Sequence, residues 1–273
     1  MAQTATAPPG VGAVARHVGG VGVLSRKVAL GVIGFAAAIA VWWLLAWWGV
    51  GNGLLPTPAE VASSTRKMFA EQQVMMDIRV SLTRILIGVA IGCGLALPVG
   101  YALAWYSLLR SMFEPLVNFG RALPPIALIP LAIPILGIGE SARISILVYA
   151  AFFSAVIVLF EGISSVDPIL VRASRALGAN RWEIFAKVAV PASVPHVFTA
   201  VRVAIGVSWA TLVAAELIAA EQGLGAVIKD AQNFNRTAEV CAGIIMIGIC
   251  ALLIDVVLKL AQRRLTRWQE KSG

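Results

Sequence analysis

The chain has 273 residues, 59% of them hydrophobic and 13% charged, with a mean hydropathy of +0.86, which excludes a soluble domain because no core of ordinary size hides so much apolar surface. The net charge of +8 does not indicate nucleic acid, because the basic residues sit at segment edges rather than in one stripe with interleaved aromatics. A membrane surface suits that distribution better.

These features predict an all-α polytopic membrane protein with about six transmembrane helices. A spanning helix needs about 20 mainly apolar residues to cross a hydrocarbon layer of roughly 30 Å. Helix is required because an open strand in lipid leaves backbone N–H and C=O groups without partners, and the period-2 alternation of a barrel is absent. Apolar runs bounded by charge or Gly/Pro clusters place spans at 28–49, 82–106, 123–138, 141–163, 193–219 and 238–260. Residues 1–27 are then an N-terminal tail, 28–260 a single transmembrane domain and 261–273 a C-terminal tail.

In chain order, Arg16, Arg26 and Lys27 precede the first apolar run, as in a signal peptide. The run reaches about Trp48, too long for a cleaved core, so it is expected to stay as the first span. Trp42, Trp43, Trp47 and Trp48 suit an interfacial belt at its outer end. Residues 52–80 follow as an outer loop, with an amphipathic surface helix over 58–72. The third span holds Pro124, Pro125, Pro130 and Pro134. Prolines free helical carbonyls, which is tolerable only where protein or a water-filled cavity satisfies them. Pro130 therefore belongs either to a pathway-lining helix or to a kinked packing helix.

Orientation follows the Lys/Arg bias of the loops. With the N-terminus inside, Arg16, Arg26, Lys27, Arg110, Arg172, Arg175, Arg181, Lys187, Arg263, Arg264, Arg267 and Lys271 are cytoplasmic. Fewer lie opposite, chiefly Arg66, Lys67, Arg79, Arg143, Lys229 and Arg236, so both termini are assigned to the cytoplasm of an inner-membrane protein.

The interval 165–191, SVDPILVRASRALGANRWEIFAKVAVP, reads as a cytoplasmic elbow of two short helices. Asp167 caps the first, with Pro168 in its first turn, and Gly178 ends it in the left-handed conformation. Asn180 and Glu183 fit a second N-terminal cap, and Pro191 closes the second helix. Ile169, Ala173, Ala176 and Leu177 recur at helical spacing beside Arg172 and Arg175. On physics alone the first helix is either a membrane-surface helix or a knob for a partner.

Here the sequence resembles the permease subunits of binding-protein-dependent ABC importers: two small residues, three positions, glycine, then about a dozen residues to a proline. Ala173, Ser174, Gly178 and Pro191 occupy those places, while Arg172 stands where the family pattern often has glutamate. The resemblance extends over about 80–268, through SLTRILIGVAIG, RALPPIALIPLAIPILGIGE, GVSWATLVAAELIAAEQGLG and RRLTRW. These strings look like the taurine and aliphatic sulfonate permeases and, more loosely, nitrate or bicarbonate relatives. What this implies is a homodimer, two ATPase subunits docked through Arg172, Ala173, Ser174, Arg175, Leu177 and Gly178, an external solute-binding protein, and ATP and Mg held by the ATPase, with no cofactor in this chain. Independently, the sequence holds no G-x-x-x-x-G-K-[ST] phosphate loop.

Arg84, Arg121, Glu161, Arg202, Glu216 and Asp255 lie in or beside spans and are functional candidates by default. Pairing with one another is the first expectation. At 1.5 Å per residue Glu216 reaches the outer boundary of its span, as a structural ion pair, a gate contact or a cargo contact. Ser208, Trp209 and Thr211 either line a path for a small polar solute or serve helix packing. Glu221, Gly223, Leu224 and Gly225 form an outer turn before a short helix over 226–234.

Cys93, Cys241 and Cys250 lie in apolar runs without metal-ligand spacing and are read as small buried hydrophobes. His17 and His196 have no nucleophile or second base at useful spacing, so no catalytic or metal site is expected. The reading is a non-catalytic transport subunit importing taurine or aliphatic sulfonates by alternating access. Import of nitrate, bicarbonate or a pyrimidine precursor on the same scaffold is the alternative. A stand-alone secondary transporter is disfavoured by the missing internal repeat and midplane acidic relay.

Overall fold

The computed structural model describes residues 19–49, 54–137, 139–219 and 221–266, with the side chains of those from residue 29 onward other than Ala219. The sequence expectations placed on Arg16, His17, Arg26, Lys27, Arg267 and Lys271 fall outside these residues and side chains. All regular structure among the described residues is helical, and five helices are long and apolar enough to cross a membrane, or six if one bent pair counts as a span. In hydrocarbon a helix satisfies its backbone groups within its own segment.

The chain divides into two compact units, residues 1–60 and 61–273. In the first, α1 (Gly19–Trp47) contains the apolar stretch Ala29–Trp47. Trp42 Nε1 donates to the Pro56 carbonyl at 3.1 Å, while Trp43, Trp47 and Trp48 are exposed, as an interfacial belt requires. Thr57 and Glu60 form a reciprocal cap, with Thr57 N 2.7 Å from Glu60 Oε2 and Glu60 N 3.3 Å from Thr57 Oγ1. It opens α2 (Pro58–Ala70), the short helix expected over 58–72.

The second unit is built on α3 (Gln73–Trp105) and α6 (Glu140–Ser164). Gly88, Gly92 and Gly100 of α3 face Leu147, Ala151 and Leu159 of α6, a constant offset that makes the two helices parallel neighbours in close register. Parallel packing demands that the chain between them cross back through the membrane. It does so through α4 (Ser107–Ala122), a 3₁₀ turn at Pro125–Leu128 and α5 (Ile129–Leu136), bent by 84°.

This corrects the third span, expected as one helix over 123–138. The residue before a proline is pushed out of the α region, and consecutive prolines do this twice. Leu123 (ψ 120°) and Pro124 (ψ 124°) are both extended, so the helix stops and restarts at a new angle. The crossing begins at Ser107, and Arg110 belongs to its first turn rather than to a loop, pairing with Glu114 at 3.1 Å.

The second span also starts nine residues earlier than the expected 82, at Gln73. The helix after the elbow does not close at Pro191. From α8 (Arg181–Ile184) the chain passes through a π-turn, Phe185–Ala189, straight into α9 (Val190–Ala219). The wider turn accommodates the N–H that Pro191 lacks, so the proline distorts the helix without ending it. Beyond α9 lie α10 (Leu224–Asn233), close to the expected 226–234, and α11 (Thr237–Leu265). The core lies between α3, α6 and α9, where Ile85, Leu147, Val156, Leu159 and Leu212 are fully buried.

The α3–α6 register and the antiparallel return of α9, which sets His196 against Gly162 of α6, define two ends of this unit. One holds the beginnings of α3 and α6, the end of α9 and the turn before α10. The other holds the elbow.

Candidate coupling and gating sites

The elbow follows the local chemistry of its sequence. Asp167 Oδ1 accepts from Ile169 N at 2.8 Å and Pro168 occupies the first position of α7 (Pro168–Ala176). The helix ends in a Schellman arrangement: Gly178 N donates to Arg175 O and Ala179 N to Ser174 O, both at 3.0 Å. Gly178 sits at φ +82°, the left-handed conformation that a side chain disfavours. The second arm opens with a complete capping box, Glu183 N to Asn180 Oδ1 at 2.9 Å and Asn180 N to Glu183 Oε2 at 3.0 Å.

All six sequence-selected elbow residues gather on α7 and its terminus. Arg172, Ala173, Arg175, Leu177 and Gly178 are exposed, while Ser174 is half-buried with its hydroxyl on Leu170 O at 2.8 Å. Leu177 is 88% exposed and Trp182 67%, and Ile169 and Leu170 of α7 are exposed too, so the elbow presents apolar side chains suited to a partner. A groove lined by Ser174, Leu177, Ala179, Glu183 and Lys187 runs beside them. The second arm is anchored to α3, since Phe185 packs on Trp105 and Tyr101 with ring centroids at 5.0 and 5.7 Å, and Trp182 stacks on Phe185 at 5.3 Å. Tyr101 Oη and Ser193 Oγ are 2.7 Å apart.

At the opposite end Glu216 is fully buried. Its Oε1 accepts from Arg84 Nη1 at 2.6 Å and its Oε2 from Gly225 N at 2.8 Å, while Ser81 Oγ lies 2.8 and 3.0 Å from the two oxygens. Arg84 grips Glu140 with its other edge, Nε to Oε2 at 2.8 Å and Nη2 to Oε1 at 2.5 Å, and Nη1 also reaches Gln222 O at 2.7 Å. Arg143 adds a contact to Glu140 at 2.8 Å. The four charges of Arg84, Arg143, Glu140 and Glu216 cancel, which lets them sit at a span boundary.

Side chains also hold the turn itself. Gly223 N donates to Asp77 Oδ1 at 2.8 Å and Leu224 N to Ser81 Oγ at 2.9 Å. Gly225 lies so close to Glu216 that an added Cβ would fall 2.5 Å from the glutamate Cβ. The cluster thus ties α3, α6, α9 and the 221–225 turn into one polar plug, in which Glu216 is held by Ser81, Arg84 and Gly225.

Pro130, on α5, is exposed, and its neighbour Ile129 packs with Ile146 and Ala215 beside the plug. Ser208, Trp209 and Thr211 are 0, 5 and 1% exposed, inside the helix packing of this unit rather than on its surface. Thr211 Oγ1 bonds Val207 O at 2.9 Å, whereas Ser208 Oγ and Trp209 Nε1 have no hydrogen-bond partner among the described residues. Asp77, Ser81 and Glu140 were missed by sequence reasoning. The sequence signal nearest to them was Arg84, a cation in a span and therefore in want of a carboxylate partner. Among the described residues no group of three metal-ligating side chains occurs, and all three cysteines are free thiols.

This two-ended helical unit has clear relatives. The family of binding-protein-dependent transport system inner membrane components matches residues 88–271. The chain belongs to that family. It is a permease subunit of an ABC importer and a multi-pass membrane protein. A Brucella abortus protein named "Probable ABC transporter permease protein" is 44% identical over 243 residues, covering 89% of this chain and 96% of its own. The taurine transport system permease protein TauC of Escherichia coli is 36% identical, covering 90% and 91%. Among solved structures, an inward-facing form of the MetNI methionine ABC transporter matches with a TM-score of 0.64 at 22% identity, over 71% of this chain and 97% of that one, which supports the fold alone.

Proposed function

We propose that this permease imports taurine or a short aliphatic sulfonate across the inner membrane, as one of two identical copies, with two ATPase subunits on the elbows and a solute-binding protein at the opposite end. The observation that carries the reading is the pairing of a rigid, exposed, apolar-tipped elbow with 36% identity to a taurine permease along nine-tenths of the chain. ATP and Mg reside in the ATPase partner, and both termini face the cytoplasm with the elbow.

The geometry supports a lever mechanism. From Arg181 to Ile218 the helix runs about 55 Å at 1.5 Å per residue. Its elbow end is clamped to α3 by the Phe185 aromatic cluster, and its far end carries Glu216 in the plug. Displacement of the elbow by closing ATPases pulls on Glu216, and release of the plug opens the outer end. In this reading Glu216 is a gate residue, and Ser208, Trp209, Thr211 and Pro130 border the path that opens.

Nitrate is the second reading, favoured by 28% identity to the nitrate import permease protein NrtB of Synechocystis over 85% of this chain. The deciding experiment is ATP hydrolysis by the reconstituted complex with its binding protein. Taurine or ethanesulfonate stimulates it on the primary reading, and stimulation by nitrate alone transfers the chain to the second.

A further inference from the structure

Of the six ionisable residues that the sequence singles out in or beside the spans, four form two pairs, Arg84 with Glu216 and Arg202 with Asp255, and Glu161 is exposed in the last turn of α6, near the elbow end. Arg121 is different. It is exposed, and no ion pair or hydrogen bond engages its side chain among the described residues.

Its depth is set by its neighbour. The Gly120 carbonyl accepts a hydrogen bond from Tyr149 Oη at 2.6 Å, and Gly120 is pressed against the ring of Phe153. Counted along α6 from Glu140, Tyr149 and Phe153 stand roughly 14 and 20 Å into a helix about 37 Å long. The backbone at Gly120 is therefore pinned near mid-membrane, and Arg121 follows it on the last turn of α4, directly before the 84° break. From the middle of a hydrocarbon layer roughly 30 Å thick, an arginine stem does not carry its head to the interface. An unpaired guanidinium facing lipid at that depth is costly, so the position implies a water-filled cavity or an anionic visitor. At the break Pro124 and Pro125 donate no hydrogen bond, and the Gly120 carbonyl this frees is taken by Tyr149 Oη, which fixes the end of α4 at that depth.

We propose that Arg121 is a cargo-contacting residue that receives the anionic oxygens of the solute midway through the membrane. This rests on the reading of the chain as a permease for an oxyanion-bearing solute. The planar guanidinium matches two oxygens of a sulfonate in a bidentate contact. The negative end of the α4 dipole, about half a charge, weakens that hold, which suits a site the solute must leave.

The test uses the full complex in liposomes, with its ATPase subunits and binding protein, and with Cys93, Cys241 and Cys250 replaced by alanine. Arg121→Cys in this thiol-free parent should lower taurine uptake at least tenfold while ATPase co-purification stays within twofold. Modification with a cationic trimethylammonium methanethiosulfonate should restore at least a third of the uptake. The anionic sulfonatoethyl reagent should restore none, and saturating taurine should slow both modifications. Uptake within twofold of the parent, no modification with or without ATP, or equal rescue by both reagents overturns the assignment. A parent that takes up neither taurine, ethanesulfonate nor nitrate overturns the cargo reading, and the assignment with it. A working parent with an unaffected Arg121→Cys overturns the assignment alone.

Discussion

Arg84→Ala tests whether the plug is held by charge. Arg84 makes four hydrogen bonds, two to Glu140, one to Glu216 and one to the Gln222 carbonyl. Glu140 keeps Arg143 and a half-exposed side chain, so its loss is small. Glu216 is fully buried, and without Arg84 its charge is compensated only by Ser81 and the Gly225 amide. Removing one partner of a buried pair costs about 3–5 kcal/mol, most of it from the charge left behind. Glu216→Gln keeps the shape and loses only charge-assisted hydrogen bonds, costing about 1–3 kcal/mol. The double variant Arg84→Ala with Glu216→Ala removes both charges, so it should be less damaged than the sum of the single variants, with a coupling of about 1–3 kcal/mol. Thermal unfolding in lipid nanodiscs reads the series, each kcal/mol corresponding to about 2–4 °C for a chain of this size. An Arg84→Ala protein melting within about 2 °C of the parent, or strictly additive effects, would refute the argument that the buried charge dominates.

Three further outcomes follow from the same geometry. An added Cβ at Gly178 meets no neighbouring atom, so Gly178→Ala should cost only backbone strain, about 1–2 kcal/mol, whereas Gly178→Trp carries that strain and adds bulk at the groove proposed for the partner. Equal ATPase pull-down for wild type and Gly178→Trp at matched membrane levels would remove the elbow from the docking surface. Gly225→Ala places a methyl against the Glu216 side chain and should loosen the plug, detected as faster hydrogen exchange of the Gly223, Leu224 and residue-225 amides, with unchanged protection counting against the packing argument. For topology, Ser64→Cys should react with an impermeant thiol reagent in intact cells and Ser272→Cys should not, in a background lacking the native cysteines, and the opposite pattern reverses the orientation.

How much was visible beforehand depended on the range of the interaction. The elbow was legible to the residue: Asp167, Pro168, Gly178, Asn180 and Glu183 act within four positions of themselves, and their caps formed as the sequence predicts. The spans were legible as apolar runs because lipid demands about 20 such residues whatever they pack against. Prolines were legible as disturbances but not as outcomes. Pro124 and Pro125 break a run that reads as one helix, and Pro191 does not end the helix it reads as closing, because neighbouring backbone decides whether a π-turn or a bend absorbs the missing donor.

Tertiary structure alone decided the plug and the depth of Arg121. Ser81 and Glu216 are 135 residues apart and Arg84 and Gln222 138, so no local period could join them. Their meeting follows from the parallel register of α3 on α6, which itself required the broken crossing between those helices. The sequence by itself determined where the apolar runs lie, that Arg84, Glu216 and Arg121 carry charge into or beside them, and where the elbow turns. Which charges neutralise one another, and that Arg121 faces outward part-way along the span, is fixed only when packing sets their distances, because a charge in a medium of low dielectric is governed by neighbours a few ångströms away in space.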